Sequence, residues 1–139
     1  MLQIDNWPAT NFTPEEILSP ESINLYKMTG LINVDYEALE NLQAFRDFIG
    51  ISLVVNFGEH RHRCTRTHTE NQKIKGSATN SPHCLGKAFD ISCKEFEPIE
   101  LYDFALKFKR FKGIGIYDTW LHVDCAWRSK ITVWDNRSK

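Results

Sequence analysis

The chain has 139 residues, of which 42% are hydrophobic and 25% charged, an ordinary composition for one globular domain. A chain of this size buries roughly two-thirds of its unfolded surface, so its core needs no disulfide staples. The formal net charge of −1 gives no global attraction to nucleic acid or to an anionic membrane surface, and no apolar run reaches the length of a membrane span.

The first residues, Met1-Leu-Gln-Ile-Asp-Asn, carry neither a basic segment nor an apolar h-region. Synthesis in the cytoplasm without a signal peptide is therefore expected. Thr13-Pro14-Glu15-Glu16 predicts a helix start: threonine caps, proline fits the first helical position, and Glu16 stands where a capping-box partner belongs. Ser19-Pro20 is expected to end that helix. Asp35 to Ile49 predicts the longest helix, with Ala38, Leu39, Leu42, Phe45 and Ile49 on one face and Gly50 as its stop. Ile51 to Phe57 is β-branched and apolar and reads as a buried strand.

From Gly58 to Pro82 the chain turns polar and loses periodicity. Connections of this length without structure of their own tend to be functional or disordered. The segment holds three of the five histidines. His60, His62 and His68 are candidates for a second metal site, with His60 and His62 at a spacing open to fortuitous chelation of zinc or nickel and Cys64 continuing the alternation. The four cysteines, Cys64, Cys84, Cys93 and Cys125, form no CxxC pair and are expected as thiols.

Ala88 to Cys93 predicts a second strand, and Pro98 to about Phe108 a helix with Leu101, Ala105 and Phe108 on one side. The basic run from Lys107 to Lys112 reads as its solvated end. Gly113 to Tyr117 and Trp120 to Cys125 predict a hairpin around Asp118-Thr119, and Ile131 to Trp134 a last strand. Trp120, Trp127 and Trp134 read as core or edge packing, with a glycan-facing groove as the alternative for one of them. This order suits one α+β domain over residues 1–139: a central antiparallel sheet with helices packed on one side.

The chemistry concentrates in Ser81-Pro-His83-Cys-Leu-Gly86-Lys-Ala88-Phe-Asp90 and His122-Val-Asp124. Gly86 argues against an uninterrupted helix between His83 and Asp90, so His83 is expected on a loop, Gly86 at a turn where it lets backbone pass close to a site or adopts positive φ, and Asp90 in a strand. His122 and Asp124 alternate with apolar neighbours and should share one strand face. Two imidazoles and a carboxylate are a common protein ligand set for catalytic zinc.

Ser81-x-His83-x-x-Gly86-x-Ala88-x-Asp90, followed by Gly113-Ile-Gly-Ile-Tyr117 and His122-Val-Asp124, resembles the M15 family of zinc peptidases, which includes D-alanyl-D-alanine carboxypeptidases and phage endolysin peptidases. The resemblance extends over a core of about residues 11–128. It implies a fold of M15/hedgehog type, one zinc per chain held by His83, Asp90 and His122 at the sheet edge, and Asp124 and Ser81 supporting the ligands. It also implies hydrolysis of peptide bonds in peptidoglycan stem peptides or cross-links. Zinc would polarise the scissile carbonyl and lower the pKa of water to about 7.

Two family features are altered. A carboxylate often precedes the final histidine by three positions, where Thr119 stands. Asp118 is the nearest carboxylate and the expected base, with Glu95 and Glu97 as weaker rivals. The upstream Ser-Gly-Tyr-Arg-like segment is also rewritten. Arg66 fits best by position as the guanidinium that grips a substrate carboxylate, with Arg61 and Arg63 as rivals. These departures leave a second expectation open: a catalytically silent, zinc-binding M15-like module of a phage particle. The expected partners are peptidoglycan peptides, and a holin or virion would carry a phage-encoded chain to the cell wall.

Overall fold

The computed structural model describes residues 2–55, 82–83 and 85–138. Helix α1 spans Pro14–Ile17, and its capping box forms as expected: Thr13 Oγ1 accepts from the Glu16 N–H at 3.3 Å, and Glu16 Oε2 accepts from the Thr13 N–H at 3.1 Å. Ser19-Pro20, expected to end a helix, instead starts one. Helix α2 covers Pro20–Thr29, with Ser19 capping through the Ser22 N–H at 3.1 Å. Proline at the first helical position has no N–H to leave unpaired. Apart from Ser22 the helix has no buried residue, so an apolar stripe was missing from its sequence.

Helix α3 is Tyr36–Ile49, capped by Asp35 and closed by Gly50 in the left-handed region. Strand β1 is only Val54–Val55, with Val54 exposed: the strand expected from Ile51 starts three residues late, since Ile51 to Leu53 lie outside any strand, and Asn56 and Phe57 lie outside the described residues. Strand β2 is Ala88–Ser92 and helix α4 is Pro98–Phe108. Strands β3 (Gly113–Ile116) and β4 (Leu121–Asp124) form the expected hairpin, and β5 is Thr132–Asp135.

The five strands lie in the order β1-β2-β4-β3-β5. Every pairing is antiparallel except that of β3 with β5, which is parallel. The sheet is thus mixed rather than wholly antiparallel, because the chain crosses back after β4 to join the far side of β3.

Alternation along the inner strands separates two faces. Phe89 and Ile91 of β2, Leu121 and Val123 of β4, and Ile114 and Ile116 of β3 are aligned by register and are buried. They form one core with Leu39, Leu42 and Phe45 of α3 and Leu101 and Ala105 of α4. Phe45 meets Phe108 and Phe111 edge-on at 5.2 and 5.3 Å between centroids. Truncating such a fully buried ring costs about 3–5 kcal/mol. The other face of the same strands carries Asp90, His122 and Asp124.

Candidate metal centre

Asp90 and His122 are directly opposed in the β2–β4 ladder. Both belong to inner strands, so the site lies on the sheet face rather than at the expected edge. His83 reaches it from the turn before β2. There the Gly86 N–H bonds the His83 carbonyl at 3.2 Å and the Lys87 N–H bonds the Pro82 carbonyl at 3.0 Å. Gly86 has φ +68, and a Cβ on it would overlap the backbone of Asn33 and Val34. Its own carbonyl accepts from the Asp35 N–H at 2.9 Å. Only glycine allows the ligand turn to rest so closely on the entry to α3.

His83, Asp90 and His122 are all buried, and one ligand atom from each lies within 4.8 Å of the others. Asp90 Oδ1 is 3.6 Å from His83 Nε2 and 3.3 Å from His122 Nδ1. It is buried without a well-formed hydrogen bond. A buried carboxylate oxygen that two ring nitrogens approach but do not satisfy is an arrangement completed by a cation. Two nitrogens and one oxygen suit a divalent transition metal.

The far side of His122 is fixed. Its Nε2 lies 2.8 Å from Asp124 Oδ2. With the Nε2 proton donated there, Nδ1 presents its lone pair toward Asp90, the usual way in which a second carboxylate sets a metal-binding histidine. Asp124 is fully buried and divides its oxygens. Oδ2 also accepts from Arg128 Nη2 at 3.0 Å, and Oδ1 accepts from the Ala126 N–H at 3.2 Å.

The charges agree with this geometry. Burial pushes the Asp124 carboxyl up, but the hydrogen bond and charge of His122, with Arg128, outweigh it and hold the group below its ordinary value. Asp90 behaves alike: burial is overcome by His83 and His122, and its carboxyl is strongly lowered. For His122, burial disfavours the cation, yet Asp124 and Asp90 raise it to about 9.

The two glycines of β3 have a physical role. A Cβ on Gly113 would overlap the Asp124 carboxylate, and one on Gly115 would overlap the Trp134 indole. Trp134 in turn packs against the His122 ring at 5.1 Å and lies 5.8 Å from the Arg128 guanidinium carbon. Its Nε1 donates to Tyr117 Oη at 3.2 Å. Arg128 and Trp134 are site residues that sequence reasoning missed. The available signal was two glycines at alternate strand positions, which marks a face approached closely by something large.

Asp118 sits in the β3–β4 turn, exposed, with Oδ1 accepting from the Ser138 N–H at 2.8 Å and Oδ2 from the Ser138 hydroxyl at 2.7 Å. Those bonds lower its pKa. Ser81, Arg61, Arg63 and Arg66 lie outside the described residues, as do the histidines and cysteine of the proposed second chelate, His60, His62, His68 and Cys64. Cys93 and Cys125 are free thiols.

A family model described as peptidase M15 matches residues 10–125. The chain belongs to the peptidase M15 family. The match covers the three ligands, Asp124 and all of β1 to β4. Among curated proteins, none matches the chain. M15 peptidases are metal-dependent, and the His83, Asp90 and His122 cluster fits that requirement. Among the described residues, no helix is long and apolar enough to cross a membrane.

Proposed function

We propose that the chain is a zinc peptidase that hydrolyses peptide bonds in peptidoglycan stem peptides or cross-links, acting at the cell wall after release by a holin or as part of a virion. The observation that carries the reading is the buried nitrogen, nitrogen and oxygen trio of His83, Asp90 and His122 in an M15 chain, with Asp90 Oδ1 awaiting a partner. Zinc held by these three would supply Lewis-acid polarisation of a peptide carbonyl and acidify water.

The protein's own residues do the rest. Asp124 keeps the His122 proton on Nε2, Arg128 keeps Asp124 ionised and oriented, and Trp134 closes the side of the imidazole. Arg66, with Arg61 as its rival, is proposed to grip a substrate carboxylate through two parallel hydrogen bonds. Asp118 is proposed as the proton acceptor; each of its oxygens accepts one bond from Ser138 and keeps a second lone pair for a proton, while those bonds make it a weaker base.

That engagement of both Asp118 oxygens favours one second reading, a metal-binding but catalytically silent M15 module. The two are separated by incubating zinc-loaded protein with purified peptidoglycan and identifying new peptide termini by mass spectrometry. New termini that disappear on chelation support the peptidase. Stoichiometric zinc with no new termini supports the silent module.

A further inference from the structure

One register row crosses four strands of the sheet. Asp90 of β2 faces His122 of β4, His122 faces Gly115 of β3, and Gly115 faces Trp134 of β5. Gly115 contributes no side chain, and the edge of the Trp134 indole that carries Nε1 fills the place its Cβ would take. Trp134 thereby reaches across β3 and sets its ring on His122, with 5.1 Å between centroids and 47° between planes.

The direction in which that indole is turned depends on one bond. Its Nε1 donates to Tyr117 Oη at 3.2 Å, in a partly buried setting, and this is the one hydrogen bond described for the Trp134 side chain. A buried indole N–H requires an acceptor, and turning the ring away would leave that donor unpaired. The other contacts of the indole, the His122 ring and the Arg128 guanidinium, are packing contacts that do not set where its N–H points.

Tyr117 is itself a fixed post. Its N–H donates to the Trp120 carbonyl at 3.0 Å, which continues the β3–β4 pairing by one step beyond Ile116 and Leu121. Its ring stacks on that of Trp120, with 4.6 Å between centroids and 9° between planes. Asn136 Nδ2 also donates to Tyr117 Oη, at 3.4 Å. Tyr117 touches none of His83, Asp90 and His122 in any described contact, so whatever it does to them passes through Trp134.

We infer that Tyr117 is a positioning residue of the metal centre: its hydroxyl orients the Trp134 indole, and the indole sets the plane of the His122 imidazole. The inference rests on the reading of His83, Asp90 and His122 as metal ligands. Asp124 holds His122 at Nε2 alone, and a single bond at one end of a ring leaves the ring free to tilt about it. A flat side chain packed on the face of the ring removes that tilt, so that Nδ1 is aimed before metal arrives. Partners beyond the ligands commonly tune metal sites in this way.

The test uses the full chain and zinc, in competition with a chromogenic chelator. Tyr117→Phe keeps the ring on Trp120 and removes the acceptor. It is expected to weaken zinc binding about three- to tenfold, the worth of one hydrogen bond. In a Trp134→Phe background the same substitution should cost less than about twofold, because the route through the indole is already gone. Asn136→Ala removes the other donor to Oη and should bind zinc as wild type does. Cobalt in place of zinc reports ligand geometry through its visible bands, which should shift in Tyr117→Phe and stay in Asn136→Ala. The wild-type chain gives a further readout by nuclear magnetic resonance. The Trp134 indole N–H signal, identified by its loss in Trp134→Phe, should move on metal addition. It should also exchange with solvent more slowly than that of Trp127, which is 87% exposed rather than packed as its sequence suggests. Wild-type affinity and cobalt bands in Tyr117→Phe would overturn the inference and leave the metal centre intact. So would a full-sized loss in the Trp134→Phe background, an equal loss in Asn136→Ala, or a Trp134 signal that ignores the metal. A wild-type chain that takes up no zinc would remove the metal centre and this role together.

Discussion

Asp90 and His122 face each other across the β2–β4 ladder, with Asp90 Oδ1 3.3 Å from His122 Nδ1. A metal shared by the two would bridge neighbouring strands at one register position. His122→Ala and Asp90→Ala are each expected to lose stoichiometric metal after dialysis, as measured by atomic emission. His83→Ala should do the same. Retention of wild-type metal content in any of the three would remove that residue from the centre.

Asp124 Oδ2 lies on His122 Nε2, so any effect on a bound metal is expected to pass through that ring. Asp124→Asn is expected to weaken metal affinity about 10- to 100-fold, the usual effect of losing such a supporting carboxylate. Arg128→Met should follow in the same direction and by less, since Ala126 still holds Oδ1. Competition with a chromogenic chelator measures both, and unchanged affinity in Asp124→Asn would show that the His122 contact does not tune the site.

Gly115→Ala drives a methyl group into the Trp134 indole. Overpacking of this kind costs about 1–3 kcal/mol. Because Trp134 lies on His122, the same substitution should also weaken metal binding. Gly30 offers the contrast: its added Cβ meets open space, so Gly30→Ala should cost about 1–2 kcal/mol for its left-handed backbone and leave metal affinity alone. Urea unfolding and chelator competition on both variants check the pair.

Proton and metal compete for His122. Its pKa in the metal-free chain is raised to about 9 from an ordinary 6.5. The imidazolium therefore stabilises the metal-free fold fully below about 6.5, and that contribution is lost as pH rises through about 9. Metal requires the neutral ring, so apparent metal affinity should climb about tenfold per pH unit toward pH 9 as far as this one proton sets it. Chemical denaturation of metal-free protein across that window, and metal titrations at several pH values, should show opposite slopes.

Asp118→Asn separates the proposed base from a structural tie. If Asp118 takes the proton, turnover of murein peptide should fall by about 100-fold or more with metal affinity intact. Turnover that does not change would assign Asp118 to holding Ser138 alone.

The sequence made some of this legible for definite reasons. The capping box at Thr13, the apolar face of α3 and the His122-Val-Asp124 alternation are local patterns, and each stands as read. Helix α2 was missed because it buries so little that no period marks it. The parallel pairing of β5 depends on a crossover, which no local pattern records. The site face was placed at an edge because strand order is invisible to periodicity. Arg128 and Trp134 were missed because their roles arise only from tertiary contacts: Arg128 meets the Asp124 carboxylate, and Trp134 fills the space that Gly115 leaves open when β3 and β5 are set side by side.

The two-residue period of β4 has a consequence for how this chain tolerates insertion and deletion. Leu121 and Val123 point into the core, while His122 and Asp124 point to the metal face. Adding or removing one residue between Trp120 and Leu121 would exchange the two sets. Hydrophobic side chains would take the ligand positions, and the ionisable ones would face Phe89 and Ile114. Length changes in the hairpin turn are therefore expected to pass only in forms that preserve parity, and any odd change should abolish solubility and metal uptake in the same step.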